Sequence, residues 1–172
     1  MKIYQIEQAQ GYKHLIFDEG KDFNSLFLTR DWEELSRAPK PFRMKFAESG
    51  KDFDASCYYG GVLIVNEKIK RFFEEKIANL VKISPIVTDA GQFYFVNVIN
   101  AITAIDDSVP GDVFMKMVAE RKFPFARKVA IGEGQLLFRD LKFTADYFVT
   151  DKFIEVFGAI AGLQYALRGE AL

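Results

Sequence analysis

The chain has 172 residues, enough for one domain with a sizeable core, and its 49% hydrophobic and 15% aromatic content, with 18 Phe, excludes disorder. With 23 Lys and Arg against 24 Asp and Glu, the net charge of -1 indicates neither a general nucleic-acid surface nor an anionic-membrane surface. A single cysteine, Cys57, excludes an intramolecular disulfide and suits a reducing compartment.

From the start of the chain, Met1 to Glu7 alternates apolar and polar residues and reads as a first strand at an edge. Gln5, Glu7 and Gln8 break any signal-peptide character. His14–Phe17 is a short apolar run followed by a polar turn. Thr29–Leu35 reads as one capped helical turn, stopped at Ala38–Phe42 because proline removes amide donors. Phe42–Phe46 alternates as a half-buried strand. The expected division is an irregular N-terminal section over residues 1–50, packed on a main domain over 51–172.

At Gly60 the pattern changes. Gly61–Val65 is a short strand ending at Asn66, which can cap a helix carrying Ile69, Phe72, Phe73, Ile77 and Leu80 on one side. Val81–Val87 is the strand after it. Phe93–Asp106 carries no charge until its last residue and is apolar on both alternate faces, which predicts a strand at the centre of a sheet. The competing reading is a helix over Val96–Ile105. Ala90–Ile105, the longest uncharged run, is too short and too rich in amides to span a bilayer. Val113–Ala119 fits a strand or a short helix. Ala126–Ile131 and Leu136–Leu141 read as a hairpin turned by Gly132–Gly134.

Near the C-terminus Tyr147–Val149, a capping Thr150 and the apolar set Phe153, Ile154, Val156, Phe157 and Ile160 repeat the strand–cap–helix pattern, and Leu163–Leu167 is a closing strand. Aligning Val65-Asn-Glu-Lys with Val149-Thr-Asp-Lys places Phe73 on Phe157, consistent with an internal duplication or with two ordinary capped helices. The fold class expected is α+β: a mostly antiparallel sheet with two principal helices packed on it.

Catalytic residues are not identifiable. His14, the only histidine, lies in an apolar strand, and Cys57 beside Tyr58 and Tyr59 reads as a small buried hydrophobe. One His and one Cys cannot fill the usual zinc sets, and Asp106, Asp107 and Asp112 match no calcium loop, so neither metal nor cofactor is expected. Arg121–Lys128 interleaves basic residues with Phe123 and Phe125, a pattern open to nucleic-acid binding, but with a near-neutral total charge it reads as a solvated loop with two anchoring rings.

Three segments, Gly60–Phe73, Tyr94–Asp106 and Tyr147–Phe157, together resemble the eleventh immunity-protein family of bacterial polymorphic-toxin systems, formerly described as a domain of unknown function. The resemblance runs from Asp52 to the C-terminus. The family's usual serine at the helix cap is Asn66 in the first unit and Thr150 in the second. The family's Asn and Asp fall on Asn97 and Asp106, both read as structural. The resemblance implies a cytoplasmic protein that neutralises a toxin domain by direct, non-catalytic binding, with no nucleic-acid or membrane partner and no catalytic residues to carry over. Trp32, Phe123 and Phe125 are the candidate partner-binding anchors. The alternatives are a structural or oligomerising module and an enzyme working through carboxylates. The sequence leaves the oligomeric state open.

Overall fold

The computed structural model describes residues 1–18, 42–47, 49–106, 108–125, 131–132 and 134–171. Among them the order is β1 (Lys2–Gln8), β2 (His14–Phe17), β3 (Met44–Ala47), β4 (Ala55–Ser56), β5 (Leu63–Asn66), α1 (Glu67–Lys76), β6 (Val81–Pro85), β7 (Phe93–Val98), β8 (Ala101–Ile102), α2 (Gly111–Ala119), β9 (Leu137–Asp140), β10 (Phe148–Thr150), α3 (Asp151–Phe157) and β11 (Leu163–Glu170). The strands form a five-stranded sheet, β11-β1-β10-β9-β8, a four-stranded sheet, β4-β5-β7-β6, and the ribbon β2-β3. All pairs are antiparallel except β8 with β9. The fold is α+β, with open sheets and a third helix, α2, where the sequence left strand and helix undecided.

Local chemistry accounts for α1. Asn66 is extended and its Oδ1 accepts from the Ile69 amide at 3.1 Å, Glu67 and Lys76 suit the two ends of the helix dipole, and Glu67–Arg71 and Lys70–Glu74 pair along its wet face. α3 begins differently. Thr150 occupies the capping position, but its hydroxyl donates to the Gln135 carbonyl at 2.8 Å and makes no cap bond.

Three apolar layers follow. Between the sheets, β5, β7, β9 and β10 bury Val65, Val96, Leu137 and Val149 against Ile69, Phe73, Phe153 and Phe157 of α1 and α3. On the outer face of the four-stranded sheet, Ile64 and Phe95 meet Leu15, Phe17 and Met44 of the ribbon. On the outer face of the five-stranded sheet, Ile3, Phe138 and Phe148 meet Phe114 of α2 and Phe123. β7 is therefore covered on both faces, as its sequence requires.

The structure corrects two local expectations. β1 is not an edge strand; it lies between β10 and β11. The uncharged run is not one strand: it breaks at Ile99–Asn100, where both backbone amides donate to Leu80 O and the Asn100 side-chain Nδ2 donates to Leu137 O at 2.8 Å. The chain then crosses to the other sheet as β8, so a single run links the two sheets. Within Leu136–Leu141, β9 has β10 and β8 as its neighbours; residues 126–130 of the expected hairpin partner lie outside the described ones, as does the helical turn read at 29–35.

The repeated strand–cap–helix pattern has a topological counterpart. β4-β5-β7-β6 and β9-β10-β1-β11 have the same order and the same strand directions, each with its helix joining the second strand to the fourth. Residues equivalent under the sequence register also meet: Phe73 contacts Phe157 with ring centroids 5.1 Å apart, and a Cβ on Gly61 would lie 2.9 Å from Ala145 O. Self-matched contacts of this kind mark a local two-fold relation. The halves differ in connection, since β7 follows β6 in the chain whereas β1 precedes everything.

A circular permutant joining Leu172 to Met1 through a short Gly/Ser linker, opened between the exposed Gln10 and Gly11, gives both halves the same chain order. The Ala171 amide already donates to Met1 O at 2.9 Å, so the junction needs only a short loop. It is expected to fold with a urea-unfolding free energy within about 1 kcal/mol of the parent, a loop-entropy-sized change. Failure to fold would show that the β1–β2 connection, rather than the β1 pairing, holds the second half together.

Candidate functional site

On the outer side of the five-stranded sheet, where α2 ends beside β1 and β11, a cleft of roughly 190 Å³ is lined by Gln5, Glu7, Val118, Arg121, Phe123, Phe143, Asp146 and Arg168. Strand alternation puts Gln5 and Glu7 on one face of β1, opposite the buried Ile6. The Arg168 side chain on β11 is only 8% exposed. Its Nε donates to Gln5 Oε1 at 2.6 Å and its Nη2 to Glu7 Oε1. Glu7 also accepts from Gln164 Nε2 at 3.0 Å and, at a longer 3.4 Å, from Arg121 Nη1.

Arg121 carries the only positive φ among the described non-glycine residues, 56°. It follows the C-cap of α2, where the Arg121 amide donates to Val118 O and the Lys122 amide to Met117 O, a helix ending that favours glycine at this position. An arginine there carries a backbone cost of about 1–2 kcal/mol. Its guanidinium stands at the cleft mouth, mostly exposed.

Asp146 closes the inner wall. It is half-buried, accepts from the Gln5 side chain, and has no ion pair within 4 Å among the described residues. Desolvation pushes its pKa above the usual carboxylate range. Gly60 presses on it, and a Cβ at Gly60 would lie 2.6 Å from Asp146 Oδ1. The floor is aromatic: Phe123 and Phe143 sit with centroids 5.3 Å apart.

Of the anchors read from sequence, Phe123 is on this floor and 7% exposed, while Phe125 is half-buried with its ring 5.5 Å from that of Phe148. Trp32 lies outside the described residues. The basic stretch that singled out the two phenylalanines begins at Arg121, so two cleft residues, Arg121 and Phe123, had a sequence signal. Glu7, Asp146 and Arg168 had none.

Other chemistry-bearing residues have structural roles. Asn97 is buried and its Oδ1 accepts from Arg139 Nη2 at 2.7 Å. Asp106 turns the chain by accepting from the Ser108 amide and hydroxyl. Cys57 is buried, burial pushes its thiol up out of the nucleophilic range, and its Sγ contacts the Ile6 and Tyr59 carbonyls. His14 stacks on Tyr58 with centroids 4.0 Å apart. Among the described residues no His, Cys, Asp and Glu grouping of metal-binding size occurs, Asp107 lying outside them, and no helix is long and apolar enough to cross a membrane. No protein-family model matches this chain, and no curated protein does.

Proposed function

We propose that this chain is a cytoplasmic immunity-type protein that neutralises a cognate bacterial toxin by direct, non-catalytic binding. The resemblance of Gly60–Phe73, Tyr94–Asp106 and Tyr147–Phe157 to an immunity-protein family motivates the reading. The observation that carries it is Arg121, held in left-handed backbone at the mouth of a charged cleft, where the conformational cost has no return in core packing. α2, whose C-terminal end reaches the cleft through Val118, buries only Phe114 and turns Val113 and Met115 to solvent, Met115 being 64% exposed. A charged cleft at the end of a helix that leaves apolar side chains in water suits a protein partner. Glu7 is engaged by two arginines and a glutamine, which suits recognition rather than proton transfer.

Co-expression with the product of the adjacent gene tests this. The expected result is rescue of growth and co-purification of the pair, with Met115→Glu weakening binding by roughly tenfold or more, as for a hot-spot residue. A neighbouring product that is harmless to cells and does not bind overturns the reading.

A further inference from the structure

We infer that the Glu7–Asp146 cleft is a receptor for a basic side chain of the protein partner, an arginine by preference, and that Arg121 is the chain's own stand-in for that guest. The identity of the guest's owner rests on the function proposed above; the cleft assignment rests on the geometry.

Two carboxylates and two guanidinia line the cleft, but the four are not equally held. Arg168 is buried and fixed by Gln5 and Glu7. Arg121 is exposed and held by one contact of 3.4 Å to an oxygen that Arg168 already occupies. When Arg121 turns outward, two carboxylates face one fixed cation, leaving an excess negative charge inside. Asp146 is the group left short, since Gln5 is its side-chain hydrogen-bond partner and, among the described residues, no cation lies within ion-pairing distance. The guest's stem would lie on Phe123, Phe143 and Val118, and a guanidinium is favoured over aromatic faces. An anionic guest meets the opposite: it would add a third carboxylate to two and find Arg168 already engaged.

The titration of Asp146 supplies a second readout. Its raised pKa arises first from desolvation, with Gln5, Arg168 and Arg121 favouring the charged form and Glu7 opposing it. A cationic guest favours the charged form further, so the bound pKa lies below the free one and binding releases a proton. Affinity for a cation therefore rises with pH through the Asp146 titration, whereas affinity for an anion would fall.

The test is titration of the full chain with N-acetyl-arginine amide, followed by NMR at the Asp146 carboxyl and the Phe123 and Gln5 amides. The expected result is millimolar binding at these positions that strengthens as pH rises through the Asp146 titration. Asp146→Asn, an isosteric change, should weaken it roughly tenfold, the equivalent of one pKa unit of linkage. Arg121→Gly, which also relieves the backbone, should strengthen it. No shift at these residues, unchanged binding in Asp146→Asn, or tighter binding of N-acetyl-glutamate amide overturns the inference. A cleft that binds the probe in a chain that fails to rescue cells from the neighbouring toxin overturns only the proposed function. Rescue without probe binding overturns only the cleft.

Discussion

Arg139→Leu is expected to lower the unfolding free energy by about 3–5 kcal/mol, the range for removing one partner of a buried charged network. Arg139 lies in β9, is 3% exposed, and crosses from the five-stranded sheet to the four-stranded one. Its Nε donates to Val98 O at 3.0 Å, its Nη1 to Thr144 O at 3.0 Å, and its Nη2 to both Asn97 Oδ1 and Tyr147 Oη at 2.7 Å. The guanidinium carbon also lies 4.6 Å from the centre of the Tyr147 ring. Leucine would strand these acceptors in the core, where each unsatisfied group costs about 1–3 kcal/mol. Arg139→Lys keeps the charge but not the fork, so it should recover only part of the loss. Tyr147→Phe removes the hydroxyl that accepts from Arg139 and donates to Val96 O at 3.1 Å, and should cost less than Arg139→Leu. Urea denaturation of the three variants gives the ranking. A loss below about 1 kcal/mol for Arg139→Leu would mean that this network contributes little to joining the sheets.

The network shows why parts of this fold are legible in the sequence and others are not. α1 and its Asn66 cap, β5 and the two-faced β7 are encoded within a dozen residues by periodicity and capping, and they occur where those signals place them. Asn97 and Asn100 are visible as polar breaks in an apolar run, but their partners, Arg139 and Leu137 O, lie some forty residues away. Position 150 is readable as a cap site, yet the nearby Gln135 carbonyl takes the Thr150 hydroxyl instead. Non-local pairing hides the central place of β1, because a half-buried strand alternates in the same way whether it has one neighbour or two. The cleft is hidden more thoroughly. Glu7 and Arg168 are 161 residues apart, and nothing in either local sequence marks it as half of a pair.

Gly162→Ala is the sharper test of how the halves are clamped. Gly162 has φ of 99°, and a Cβ there would lie 2.0 Å from Ala55 O and 2.7 Å from the Phe53 Cβ. The same turn, ahead of β11, accepts the Asp54 and Ala55 amides on Ala161 O and donates to Ile160 O through Leu163, so backbone from both sheets converges on it. Alanine must therefore strain the backbone by about 1–2 kcal/mol and push two main chains apart at a further 1–3 kcal/mol. A loss of about 4 kcal/mol is expected, enough to unfold a protein of marginal stability. Gly11→Ala is the control. Its φ of 79° is equally unsuited to alanine, but nothing lies within 4 Å of the new Cβ, so only the left-handed backbone cost of about 1–2 kcal/mol applies. The gap between the two variants in urea midpoint isolates the close approach of Gly162 to Ala55. If the two glycines behave alike, the turn before β11 does not press on β4, and the joint between the sheets rests on Arg139 and the aromatic contacts of α1 with α3.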